Sequence, residues 1–232
     1  VPVRPEGWLL WRPRTLDGVT HFVTAYWHDH GRAALFRSTN GREWTHVSDV
    51  SSQGHIDETD FTFVGQRIVA AARLEGVGPR PWIGDPRGGT VIATADPPYT
   101  RWETTVDLSA RLDGPHLFTV GGRVYAVGRF DPLPAGGLLG SVLSRKRTAL
   151  YRVDSRGLEL LSLLPSAGDT SYAGVVVTGG EVLVSYYTSR TDRDYPWLLG
   201  MLMPSELRLA RIPLLSLQSV AAARSPSPES GG

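Results

Sequence analysis

Short runs of Val, Ile, Phe, Tyr and Trp recur along the chain, broken by Gly, Pro, Asp and Asn, and helical periodicity is almost absent. Apolar runs of five to eight residues bounded by turn formers predict strands. The tight turns set a longer repeat. Gly65-Gln66-Arg67, Gly121-Gly122-Arg123 and Gly179-Gly180-Glu181 each join two such runs, at spacings of 56 (121 − 65) and 58 (179 − 121) residues. Asp17-Gly18-Val19 stands 48 residues (65 − 17) before the first. About four strands per unit, at nearly the length of a propeller blade, predicts an all-β β-propeller with four blades of four antiparallel strands.

The predicted strands are 8–12, 20–27, 33–38 and 43–48 in the first blade, and 58–64, 67–73, 90–95 and 101–106 in the second. The third takes 114–120, 123–129, 147–153 and 157–163, the fourth 171–177, 181–187, 197–203 and 206–212. The blades occupy about 8–50, 57–107, 113–164 and 170–212. Residues 213–232 form a tail, Ser/Pro/Gly-rich and expected to be disordered from about 221. Long connections at 74–89, 131–147 and 188–196 are where function is usually carried.

Composition narrows the chemistry. A net charge of +1 gives no reason to expect nucleic acid or an anionic membrane as partner. With no cysteine, thiolate metal sites, disulfides and a cysteine nucleophile are excluded. No apolar run reaches the ~18–20 residues of a membrane-spanning helix, and no signal peptide is visible. Val1 in place of a methionine suggests that an N-terminal portion is missing. Localisation and oligomeric state are left unassigned. Lys146 is the only lysine; arginine, permanently charged and able to grip carboxylates with two hydrogen bonds, carries the other basic positions.

Alignment of the repeats selects site residues. Seven residues before each turn glycine lie Glu58, Gly114 and Tyr172, at the start of strands that line a propeller's channel. Eight residues after it lie Arg73, Arg129 and Tyr187, at the end of each second strand. Glu58, Tyr172, Arg73 and Arg129 (a carboxylate, a phenol and two guanidinium groups) should therefore meet at one mouth of the channel, with Gly114 leaving room and Tyr187 at the rim.

Ser38-Thr39-Asn40-Gly41-Arg42-Glu43-Trp44 resembles the Asp-box of sialidases, with Asn for Asp and one residue fewer; Thr94-Ala95-Asp96 to Trp102 is a looser echo. Asp96-Pro97-Pro98-Tyr99, Leu112-Asp113-Gly114-Pro115, Thr148-Ala149-Leu150-Tyr151 and Gly168-Asp169-Thr170-Ser171-Tyr172 resemble, in that order, the C-terminal blades of bacterial sialidase-like proteins with BNR repeats. The resemblance spans about residues 8–211. It implies a retaining exo-glycoside hydrolase acting on sialic acid or a similar acidic sugar, without cofactor or metal. A tyrosine nucleophile suits such a substrate, because a carboxylate nucleophile would be repelled by the sugar's own charge. The resemblance casts Tyr172 as nucleophile, Glu58 as its base, and Arg73 and Arg129 as clamps on the sugar carboxylate. Asp113, Asp169 and Tyr187 join the substrate-binding set.

Sialidases have six blades and take a third arginine and an aspartic acid/base from the first ones. Arg4 and Asp29 could imitate that pair. Two other readings stand beside this one: a non-catalytic propeller that binds carbohydrate or protein, and a related glycosidase with a different glycan substrate. Among weaker chemistries, His28, Asp29 and His30 could bind a metal with His21, His46 or His55. Ser171 and His116 lack a triad partner.

Overall fold

The computed structural model describes residues 5–78, 88–131 and 140–217. The chain folds as an all-β propeller of four separate antiparallel sheets, none closed on itself. β1 (Trp8–Thr15), β2 (His21–Trp27), β3 (Ala33–Ser38) and β4 (Thr45–Ser51) make the first blade in sequential order. β5 (Ile56–Val64), β6 (Arg67–Leu74), β7 (Gly89–Ala95) and β8 (Glu103–Asp107) make the second. β9 (Leu112–Val120), β10 (Arg123–Phe130), β11 (Arg147–Asp154) and β12 (Gly157–Leu163) make the third, with a one-turn helix α1 (Gly140–Leu143) before β11.

The fourth sheet departs from expectation. It holds three strands, β13 (Thr170–Val177), β14 (Glu181–Ser189) and β15 (Ser205–Pro213), and the segment expected as a strand at 197–203 begins instead with a one-turn helix, α2 (Trp197–Gly200). The reason is local. Pro196 precedes the helix with φ −55°. Gly200 lies so close to Gly168 and Asp169 that a Cβ would stand 2.2 Å from the Asp169 amide nitrogen. A short apolar run such as WLLGMLM carries no period that separates strand from helix. The other strands begin and end within three residues of their predicted positions. The predicted tail from 221, and Arg4, lie outside the described residues.

Blades stack through three apolar seams. Phe22 and Leu35 of the first pack with Phe61, Ile68 and Val91 of the second. Ala71 and Ile92 of the second meet Leu117, Val124 and Tyr151 of the third. Phe118, Tyr125 and Leu150 of the third meet Val182, Val184 and Tyr186 of the fourth. Burying each large side chain contributes roughly 1.5–3 kcal/mol against exposure. The Asp-box-like turn behaves as its sequence suggests: Ser38 Oγ accepts the Asn40 and Gly41 amides, and Asn40 Oδ1 accepts those of Arg42 and Glu43. Trp102 donates across the first seam to Ser48 Oγ at 2.8 Å.

The innermost strands β1, β5, β9 and β13 surround the axis, and side chains from β1 cross it. Arg14 donates to Asp60 Oδ2 on β5 and to the Leu117 carbonyl on β9, both at 2.7 Å. Trp11 reaches the Pro115 carbonyl at 3.3 Å, and Arg12 the Ala173 carbonyl at 3.0 Å.

Candidate active site

Pairing of every innermost strand with its neighbour is interrupted at one equivalent place: Trp11-Arg12, Asp57-Glu58, Gly114-Pro115 and Tyr172-Ala173. A bulge breaks the alternation of a strand and re-aims a side chain. Two of these positions need a left-handed backbone, Gly114 (φ 61°) and Tyr172 (φ 47°). Glycine adopts it freely, whereas a tyrosine there stores strain of about 1–3 kcal/mol, a cost found most often at functional sites.

The bulges converge on one cleft of about 350 Å3, lined by Leu10, Trp11, Arg12, Tyr26, Glu58 and Tyr172. Tyr172 Oη donates to Glu58 Oε1 at 2.7 Å. The other carboxylate oxygen, Oε2, accepts the Gly114 amide at 2.8 Å and lies 3.1 Å from Arg73 Nη1. Burial first, and then the neighbouring Glu58 charge, raise the Tyr172 phenol above its ordinary value of 10. The pair thus rests as neutral phenol beside carboxylate, the arrangement in which a proton can pass as the phenol oxygen attacks.

Of the predicted site residues, Glu58 and Tyr172 meet in the cleft and the others stand behind or beside it. Arg73 is not a free clamp. Its guanidinium takes Asp57 with two hydrogen bonds, from Nε at 2.7 Å and from Nη2, and approaches Glu75 at 3.4 Å as well as Glu58. Three carboxylates occupy it, so it holds Glu58 in place. Arg129 Nε donates to the Thr170 carbonyl at 2.8 Å, its Nη2 is 3.7 Å from Asp169, and its face lies over Trp197. Asp169 accepts Trp197 Nε1 at 2.8 Å and Tyr187 Oη at 3.1 Å. Burial and the Asp169 charge, partly offset by Arg129, push the Tyr187 phenol up to about 12. Its ring stacks 6.2 Å from that of Tyr172. Asp113 is 1% exposed and pairs with Arg111 at 2.9 Å and Lys146 at 3.7 Å. Although its surroundings are costly for a charge, these cations hold its carboxyl well below the usual range.

Trp11, Arg12 and Tyr26 were not singled out from the sequence, yet the signal was present. Gly18 is the turn glycine of the first blade. Seven residues back from it is Trp11 (18 − 7) and eight forward is Tyr26 (18 + 8), the counterparts of Glu58 and Arg73. Arg12 follows Trp11 within the bulge. Its Nε is buried without a partner, and burial lowers its pKa. Its Nη2 donates to the Ala173 carbonyl and the Asp60 charge acts on it, so the guanidinium is partly satisfied by the protein while bringing its charge to the edge of the cleft. Trp11 stands 5.9 Å from the Tyr172 ring and 6.3 Å from that of Tyr26, giving the cleft an aromatic wall.

Asp29 accepts the Gly31 amide within its own turn and is not among the lining residues. The weaker metal reading, His28 and His30 with a third histidine, does not assemble among the described residues; His30 instead joins a group of possible ligands with Asp57 and Glu75. Ser171 and His116 point to separate carbonyls, of Asp113 and Ala173.

No protein-family model and no curated protein matches the chain. Solved structures do. A thermostable family-43 glycoside hydrolase superposes with a TM-score of 0.56 at 12% identity, over 92% of this chain and 75% of that one. The fold is that of the propeller glycoside hydrolases. GH43B of the Bacteroides ovatus xyloglucan PUL (TM-score 0.53, 10% identity) is matched over 88% of this chain, and the Bombyx mori GH32 β-fructofuranosidase (0.53, 13%) over 90%. This chain spans 38% and 47% of those two proteins. These structures bear out the propeller fold of the expected resemblance; its sialidase part does not follow from them.

Proposed function

We propose that the chain is a glycoside hydrolase of propeller fold, in which Tyr172 is the nucleophile, Glu58 its base, and Arg12 the receptor for an acidic group on the sugar. The observation that carries this reading is the 2.7 Å bond from Tyr172 Oη to Glu58 Oε1 at the floor of a cleft edged by Arg12. As Oη bonds to the anomeric carbon, its proton passes to Glu58 and the bond to the leaving oxygen breaks. The leaving group departs as an oxyanion; water then attacks the same carbon as its bond to Oη breaks, Glu58 gives the proton back to Oη, and the proton shed by water passes through solvent to the departed oxyanion, with net retention. An ordinary phenol with a pKa near 10 is a poor nucleophile at neutrality, and Tyr172 is poorer still until Glu58 takes its proton. The anionic sugar, of which sialic acid is one example, brings a carboxylate to Arg12 while its ring lies against Trp11.

The leaving oxygen finds no acid among the cleft-lining residues apart from this pair. Aryl glycosides, whose leaving groups need little protonation, should therefore be turned over and alkyl glycosides much less. The test is hydrolysis of an aryl sialoside by the full chain and its Tyr172→Phe variant. Loss of turnover with binding of the free sugar retained is the expected result, whereas turnover by the Phe variant at the parental rate refutes the nucleophile. The missing acid also favours a second reading, a carbohydrate-binding propeller. That reading takes over if free acidic sugar binds and no aryl glycoside is cleaved.

A further inference from the structure

Behind Glu58 runs an unbroken series of paired charges. Glu58 pairs with Arg73, Arg73 with Asp57 and Glu75, and both of these carboxylates with one imidazole: His30 Nδ1 is 3.1 Å from Asp57 Oδ2 and 3.3 Å from Glu75 Oε2. Asp57 is fully buried and accepts from Arg73 and His30 together. The His30 ring stands edge-on to Tyr26, at 5.5 Å, in the wall of the cleft. His30 holds a left-handed backbone (φ 61°), as Tyr172 does at the other end of the series. A non-glycine residue kept in that region by its surroundings is over-determined by them.

Three ligand-bearing groups within reach of one another invite a metal reading, but Arg73 is already inside this cluster. Its guanidinium occupies Asp57 and touches Glu75, so a cation would have to displace it. The cluster is filled by protein charge: Asp57 and Glu75 against Arg73 and His30.

We propose that His30 is a positioning residue for Glu58, bracing Asp57 and Glu75 so that Arg73 keeps one nitrogen for the base. This rests on the reading of Glu58 and Tyr172 given above. The groups facing His30 are Tyr26 from β2, Asp57 from β5, and Arg73 and Glu75 at the end of β6, with His28 and Asp29 on its own turn. Hydrogen bonding to Asp57, outweighing the cost of burial, raises its pKa to about 9, so the imidazolium persists through neutral pH. When it loses its proton, Asp57 and Glu75 are left with Arg73 alone. The guanidinium is drawn toward them and away from Glu58.

Because coupling between sites is reciprocal, two measurements on the full-length chain test this. The first needs no activity: titration of the His30 ring nitrogens by NMR. A midpoint near 9 is expected. Glu58→Gln should lower it by at least about half a unit, because Arg73 then bears wholly on Asp57 and Glu75; Asp17→Asn, on an exposed turn, should leave it unchanged. An unmoved midpoint in Glu58→Gln overturns the proposal, and so does a stoichiometric shift of the His30 signals on adding Zn2+ alone. The second measurement is kinetic. His30→Asn, which keeps the left-handed backbone, should lower kcat about tenfold with KM held, and abolish any fall in rate through pH 9; His30→Lys should restore part of kcat. If kcat is untouched in His30→Asn, the proposal is wrong. If the parent cleaves no glycoside, the functional reading fails, and the NMR titration still decides the role of His30.

Discussion

Replacing Gly114 by alanine perturbs the tyrosine–glutamate pair without altering any atom of it. Gly114 sits at φ 61°, and a Cβ there would stand 2.5 Å from Ser171 Oγ and 3.2–3.3 Å from two atoms of the Tyr172 ring. Its amide also donates to Glu58 Oε2 at 2.8 Å. Two costs add. A left-handed alanine costs about 1 kcal/mol, and forcing an extra methyl into a packed site costs about 1–3 kcal/mol more. Gly121→Ala isolates the first, because Gly121 has φ 57° and its Cβ would meet nothing within 4 Å. Thermal unfolding should therefore show Gly121→Ala lowered by roughly 2–4 °C and Gly114→Ala by roughly 4–16 °C. Near-ultraviolet circular dichroism of the tyrosines should change only in Gly114→Ala. Equal destabilisation of the two, within about 0.5 kcal/mol, would show that Gly114 is not packed against the Tyr172 ring and would refute the site geometry.

Asp113→Asn should destabilise by about 1–3 kcal/mol, measured by urea unfolding at pH 7, because it removes one of the two carboxylates that Arg111 and Lys146 share and leaves them Asp131, at 3.2 and 3.3 Å. Since the folded Asp113 titrates below its unfolded value near 4, its contribution is fully present above that pH and is lost only as the pH falls well beneath it. His30 has the opposite sign. Its folded pKa of about 9 lies above the unfolded value near 6.5, so stability is full below pH 6.5 and declines through pH 9. Allowing for solvent screening of its partly exposed ring, the decline should be no more than about 2 kcal/mol and should be absent in His30→Asn. The only lysine, Lys146, is 1% exposed under Trp197, so an amine-acylating reagent should add no lysine label to the native chain and one label after denaturation, read by intact mass. Lysine acylation at native pH without unfolding would contradict its burial.

The blade repeat was legible because turn glycines mark it at nearly constant spacing, and the same count brought Glu58 and Tyr172 to one place. What the count does not contain is charge balance. Arg73 and Arg129 occupy the positions expected of clamps, but Asp57 and Asp169, distant from them in sequence, and Glu75, two residues past Arg73, take up their donors. In the first blade the count taken from Gly18 yields Trp11 and Tyr26 directly, whereas Arg12 reaches the cleft only because the bulge in β1 covers two residues. The misplaced strand at 197–203 had no period to read, and the close approach of Gly200 to Asp169 that forbids a strand there is a tertiary fact.

The side chains of β1 that cross the axis bind partners very distant in the chain: Arg12 and Ala173 are separated by 161 residues, Trp11 and Pro115 by 104, Arg14 and Leu117 by 103. The bond between Tyr172 and Glu58 spans 114. Closing loops of this length must be paid in entropy before any of these contacts returns energy, and such topologies fold slowly. The individual sheets, each built from neighbouring hairpins, can form early, whereas the cleft cannot exist until the first and fourth blades have been brought together. Refolding followed by tryptophan emission should accordingly reach native sheet content before Trp11 reaches its final environment. A chain arrested part-way would carry finished blades and no cleft, so an assembled cleft reports that the first and fourth blades have come together.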